Sequence, residues 1–140
     1  MECVVDASVA VAWFVEQPNS AAADNALNQF DFYAPSLILP EIGNAMWKYK
    51  RHGVISESQF RDCLVGLAGA YFFVEEMDDT VMHLATGISA DLDHPIYDCV
   101  YLAVARKLKT PFLTADKKLI NKLSGNDFEI IALQDMDAAS

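Results

Sequence analysis

The chain has 140 residues, a length that suits one domain with one core. Its net charge of −10 and pI near 4.5 oppose non-specific binding to nucleic acid unless cations or a local basic surface intervene. Three scattered cysteines make no disulfide framework, the N-terminus lacks the basic region of a secretory leader, and no apolar stretch approaches a membrane span, so a cytoplasmic protein is expected.

In chain order, ECVVD (2–6) reads as a short buried strand that ends on Asp6. SVAVAWF (8–14) starts a helix, and NSAAADNALNQF (19–30) makes a second with Asn19 or Ser20 as N-cap. FYAP (32–35) is a short β segment. LILPEIGNAMWKYKRHG (37–53) is a helix with Pro40 in its first turn and Gly53 as its stop. SESQFRDCLVGLAGA (56–70) opens with a capping box, Ser56 to Gln59, and is expected to continue as a helix. YFFVEEM (71–77) is a third strand, and DDTVMHLATGISADLD (78–93) a helix with acids at its favourable end. YDCVYLAVARKLK (97–109) is a helix with Tyr97, Tyr101, Val104 and Leu108 on one stripe. PFLTA (111–115) is a strand, DKKLINKLS (116–124) a short helix and FEIIAL (128–133) the last strand. Strands alternating with helices imply a parallel α/β sheet covered on both faces.

Four acids interrupt apolar sequence: Asp6 after the first strand, Glu41 in LILPEIGNAMW, Asp98 in PIYDCVYLAVA and Asp116 after PFLTA. Singly, each reads first as a helix cap or first-turn charge, worth about 0.5–2 kcal/mol. Jointly they read differently. Ligand sites of open parallel sheets form outside the carboxyl ends of strands. Asp6 and Asp116 stand at such ends, and right-handed crossovers bring the helix starts at Glu41 and Asp98 to the same edge. Carboxylates gathered there repel one another, and a hard divalent cation relieves that conflict. Acidic clusters holding such ions hydrolyse phosphodiesters through an activated water.

Nine of the ten basic side chains fall in two stretches, Lys48, Lys50, Arg51 and Arg106 to Lys122. Lys48, Arg51, Lys117 and Lys118 are the candidates to hold flanking phosphates, against the plainer reading of solvated helix faces. Trp13, Trp47 and the Tyr97–Tyr101 pair keep helical spacing with apolar neighbours, so they are expected in the core. His52, His83 and His94 lack zinc-ligand spacing with the cysteines, and His94 before Pro95 reads as a loop residue. There is no GxSxG elbow, Walker A loop or GxGxxG loop.

The blocks VVDAS, LPEIGNAMWKYKRHG, HPIYDCVYLAVARK and FLTADKKL, in that order, resemble PIN-domain ribonucleases, and more narrowly the VapC-type toxins of toxin–antitoxin pairs. The resemblance runs from the first strand to FEIIAL. It implies a three-layer α/β/α fold with a central parallel sheet, residues 1–134 as a single PIN-like domain and 135–140 as a short C-terminal tail. It implies a metal-dependent endoribonuclease leaving a 5′-phosphate and a 3′-hydroxyl. Asp6, Glu41 and Asp98 would then be catalytic carboxylates holding Mg²⁺ or Mn²⁺. Asp116 would bind a second ion or its waters, for one or two ions per site. Ser8 and Thr114 would support the acids from behind, although both also suit caps and turns. The implied partners are RNA, a small antitoxin and a second copy of the chain; an acidic protein suits a cationic partner, and 53% hydrophobic residues suit buried interfaces. Two other readings keep the same residues: a non-catalytic binding module of PIN-like fold, and a metal-dependent phosphatase for small esters. Ser8 stands where a DxD phosphatase would carry its second acid, which counts against the latter.

Overall fold

The computed structural model describes the backbone of residues 1–139 and the side chains of residues 1–136; the last residue of the expected tail, 135–140, lies outside the described residues. Five strands form one parallel sheet: β1 (Glu2–Val5), β2 (Asp31–Pro35), β3 (Phe73–Glu75), β4 (Phe112–Thr114) and β5 (Ile130–Ala132). Their spatial order is β3-β2-β1-β4-β5. The chain therefore runs outward from β1 to β3, returns across the sheet, and finishes on the other side.

The helices are α1 (Ala7–Ala10), continued as a 3-10 turn over Val11–Trp13, α2 (Ser20–Leu27), α3 (Ile38–Arg51), α4 (Glu57–Asp62), α5 (Asp79–Leu92), α6 (Ile96–Leu108) and α7 (Lys117–Leu123). Right-handed crossovers put α1–α4 on one face of the sheet and α5–α7 on the other, giving the expected three layers. Helix α6 packs on α5 and across β1, β2 and β4, and it is buried without a break from Cys99 to Ala105. A helix buried nearly all round is a core element. The side chains at its start are thus set by a rigid scaffold.

Strand order reverses between β1 and β4, which pair through Val4↔Phe112 and Val5↔Leu113. Crevices at such switch points, beyond the carboxyl ends of the strands, are where ligands bind in open α/β sheets. Asp6 and Asp116 follow these two strands, and the Asp6 N–H bonds to the Leu113 carbonyl at 3.3 Å.

Two local expectations need correction, and a third, the cap of α2, holds in position without a side-chain bond. The helix expected over 56–70 keeps its capping box at Ser56 and Gln59 but stops at Asp62. None of its residues is buried, and Gly66 and Gly69 beyond it adopt φ of 72° and 87°, a left-handed backbone that helices do not continue. Asn19 is the N-cap position of α2 but makes no side-chain cap bond. The Ser20 hydroxyl instead donates to the Ala12 carbonyl at 2.9 Å and accepts from the Gln17 N–H. Finally, Trp47 and Tyr97 are not core residues, being 42% and 61% exposed, whereas Tyr101 is buried. Tyr97 sits in the first turn of α6, before the helix passes under its neighbours.

Candidate active site

Asp6 is buried at the switch point because β1 delivers it there and α1 begins on it. It caps α1: Oδ1 accepts the Ser8 N–H at 2.9 Å and the Val9 N–H at 3.4 Å. The Ser8 hydroxyl also donates to Oδ1, and the fully buried Thr114 hydroxyl donates to Oδ2 at 2.5 Å. Thr114 Oγ1 in turn accepts the Asp116 N–H, and Ser8 Oγ accepts the Ala115 N–H, both at 3.1 Å. Two hydroxyls thus tie the end of β1 to the end of β4. The carboxylate that caps α1 is therefore also the one that these hydroxyls hold at the switch point.

Glu41 lies half-buried in the first turn of α3, where Pro40 has no N–H to lose. Its Oε1 accepts the Tyr101 hydroxyl at 2.5 Å. Burial and the nearby carboxylates hold the Tyr101 phenol far above its ordinary range, so it stays a donor. Asp98 is half-buried in the first turn of α6. Its Oδ2 lies 2.6 Å from His94 Nε2, and a carboxylate only accepts, so the imidazole donates.

His94 was read as a loop residue, and the backbone does place it between α5 and α6. Its side chain nonetheless returns to the site. Asp93, the C-cap of α5, takes a left-handed φ of 50°, and the Ser89 hydroxyl grips the His94 carbonyl at 2.6 Å. The Lys122 ammonium donates to the Asp93 carbonyl at 2.9 Å. The signal available beforehand was the i, i+4 spacing of His94 and Asp98.

The Asp98 charge acts on both Asp6 and Glu41. Burial, aided by the Asp98 charge and opposed by the Ser8, Thr114 and Val9 hydrogen bonds, leaves the Asp6 carboxyl raised to about 6. Burial likewise raises Glu41, opposed by the Tyr101 hydrogen bond and reinforced by Asp98. Among the described residues no Lys or Arg forms a salt bridge with Asp6, Glu41 or Asp98.

The donors are hard oxygens in an electronegative crevice, the chemistry that Mg²⁺ or Mn²⁺ prefers. Among the described residues no three Asp, Glu, His or Cys side chains surround a common point closely enough to ligate one ion. Mg²⁺ does not need that, since it keeps several waters and takes one or two carboxylates directly. The donor set therefore fits such an ion through direct and water-mediated contacts.

The other candidates separate from this centre. Asp116 caps α7, accepting from the Lys118 and Leu119 N–H groups at 3.1 and 3.2 Å, and its own N–H bonds to Thr114 Oγ1. Lys117 and Lys118 follow it, exposed. Lys48 lines an open groove that begins at Ser8 and Glu41. Arg51 instead stacks over the Trp47 ring at 5.5 Å, outside that lining.

Comparison with known proteins agrees with the fold. The PIN domain family matches residues 3–125. Ribonuclease VapC3 of Pyrobaculum aerophilum is 30% identical over 125 residues, covering 87% of this chain and 95% of the relative. Among solved structures, a toxin–antitoxin complex from Klebsiella pneumoniae superposes with a TM-score of 0.68 at 14% identity, covering 94% of this chain and 97% of that one. A Pyrobaculum aerophilum structure superposes at 0.67 with 23% identity, covering 99% and 90%. At these identities the structural matches establish the fold.

Proposed function

Because this chain belongs to the PIN domain family, we propose that it is a metal-dependent endoribonuclease, the toxin of a toxin–antitoxin pair, with Asp6, Glu41 and Asp98 as its catalytic carboxylates. The observation that carries the reading is the buried Asp6, raised by desolvation and by Asp98 at the β1/β4 switch point, with no Lys or Arg salt bridge among the described residues. Asp6, Glu41 and Asp98 would hold Mg²⁺ or Mn²⁺, and Asp116 would serve a second ion or its waters. Such an ion, when bound, supplies Lewis acidity and offsets charge that develops on the phosphodiester.

The chain's own groups do the rest. Ser8 and Thr114 fix the plane of the Asp6 carboxylate, Tyr101 fixes Glu41 and His94 fixes Asp98. Glu41 Oε2 and Asp98 Oδ1 have no hydrogen-bond partner among the described residues, so each can take the proton of a water attacking phosphorus in line. The raised affinity of Glu41 for a proton suits it to that task. Lys48, Arg51, Lys117 and Lys118 are the residues we assign to RNA phosphates, residues 1–134 form the catalytic domain, and the protein works in the cytoplasm as a dimer restrained by an antitoxin. No helix among the described residues is long and apolar enough to cross a membrane.

The test is cleavage of total RNA with Mg²⁺ or Mn²⁺, comparing wild type with Asp98→Asn purified in parallel. Fragments from wild type alone are expected. Equal fragments from both would remove the site assignment, and silence from folded, metal-supplied wild type would favour the non-catalytic binding module.

A second variant isolates the imidazole. His94→Leu should lower kcat/KM by about 10- to 100-fold, the usual cost of losing a hydrogen-bond partner of a ligating group. His94→Gln, which keeps an N–H donor, should recover most of that. Steady-state kinetics across a Mg²⁺ titration read the difference, and equal losses in both variants would reduce His94 to a packing role.

A further inference from the structure

The groove that starts at the acidic centre extends well beyond it. It holds about 880 Å³ and is lined by Ser8 and Glu41 and, along α3, by Asn44, Lys48 and His52, with Tyr97 also in its lining. Residues 41, 44, 48 and 52 recur at helical spacing, so they form one stripe. At 1.5 Å per residue, Lys48 lies about 10 Å along the helix from Glu41. Charge changes sign over that distance, from a carboxylate to an exposed ammonium. Tyr97 adjoins Asp98 in sequence, and its ring is 61% exposed. An exposed aromatic beside a carboxylate cluster has no packing purpose evident in the fold.

We propose that this groove seats the nucleotide next to the scissile phosphate of single-stranded RNA, with its base stacked on Tyr97 and its far phosphate held by Lys48 and His52. The inference rests on the ribonuclease reading and adds to it where the substrate lies and in which direction it leaves the centre. The charge order suits a polyanion whose reacting phosphate sits at the acidic end and whose next phosphate meets cationic and N–H donors. The open aromatic wall suits an unstacked base, which is how single-stranded RNA is recognised. Asn44, exposed on the stripe between the two phosphate positions, offers both a donor and an acceptor to a base edge.

The experiment is steady-state cleavage of a fluorescent single-stranded RNA by wild type, Tyr97→Leu, Tyr97→Phe, Lys48→Glu and Arg61→Glu. Arg61 is an exposed α4 residue paired with Glu57, away from the groove lining, and its reversal changes net charge as much as Lys48→Glu does. Both Tyr97→Leu and Lys48→Glu should raise KM about tenfold, a loss at the low end for one stacked base or one phosphate contact, with kcat within about twofold. Tyr97→Phe keeps the ring and should recover most of the KM lost in Tyr97→Leu, while Arg61→Glu should match wild type. If wild type cleaves and both groove variants keep its KM, the strand runs elsewhere and the proposal falls while the ribonuclease reading stands. If the groove variants lose only inhibition by a bound protein, the groove is a protein-docking site and the proposal likewise falls. If wild type neither cleaves nor binds the RNA, both readings fail together.

Discussion

Asp6→Asn should lose RNA cleavage by on the order of 10³-fold or more, yet its metal-free form should melt higher than wild type near neutral pH. The first effect follows from removing the carboxylate at the centre of the site. Charge stabilisation by a bound divalent ion is worth several kcal/mol, and about 4 kcal/mol corresponds to three decades of rate. The second follows from linkage. Unfolded, the Asp6 carboxyl titrates at its ordinary value of 3.8; folded, burial lifts it to about 6. Between those values the native state holds a proton that the unfolded state has lost. Stability therefore falls as pH rises from about 4 to about 6 and stays reduced above, by roughly 3 kcal/mol for a shift of about two units. Asparagine carries no charge to bury, so it escapes that loss. The amide gives up part of its pairing with the Thr114 hydroxyl, which trims the gain. A rise of about 5–10 °C near pH 7.5 in EDTA, shrinking toward pH 4, is expected for a domain of this size. Melting curves at the two pH values check it. A lower melting point at pH 7.5 would mean that Asp6 acts chiefly as an anionic cap on α1.

Why the acids were legible beforehand and their supports were not is a matter of pattern against geometry. Asp6, Glu41, Asp98 and Asp116 each break an apolar run, and a charge in such a run stands out in one dimension. The alternation of strands and helices was equally visible, because each element carries its own hydrophobic period. Thr114 and Ser8 were accessible as neighbours of acids, but their shared task of linking β1 to β4 depends on a contact between residues 108 positions apart. Tyr101 had the period of a core residue and is one, yet its hydroxyl reaches Glu41 across 60 positions, and no local pattern encodes that. Tyr97 had the same period but falls at the exposed start of α6. Spacing fixes which face a residue occupies and says nothing about where along the helix the covering layer begins. The segment after α4 misled for a related reason. Cys63, Leu64 and Leu67 keep helical spacing and Leu67 does reach the core, but the left-handed backbone at Gly66 and Gly69 is one that a helix does not continue.

Removing divalent ions should abolish cleavage, and restoring them should stabilise the fold in a manner that depends on pH through Asp6. An ion that binds the native state alone raises stability by about 2.7 kcal/mol at a hundred times its dissociation constant. Carboxylates must be ionised to bind it, so protons compete. With Asp6 held up to about 6, that competition is slight near pH 7.5 and costs about tenfold in affinity for each unit below 6. The melting-temperature gain from millimolar Mn²⁺ should therefore be large at about pH 7.5 and mostly gone at about pH 5. Glu41, raised by the same burial and the same Asp98 charge, steepens the decline. The sign is opposite to that for the metal-free protein, which gains stability on acidification as Asp6 takes up its proton. One scan over pH, with and without Mn²⁺, should thus give two curves that converge in acid and separate as pH rises. Asp6→Asn should make both curves shallower, leaving the weaker pH dependence that Glu41 contributes. A Mn²⁺ shift of equal size at both pH values would place the ion on carboxylates with ordinary proton affinity, away from the β1/β4 switch point, and RNA cleavage that survives EDTA would remove the ion from the chemistry altogether.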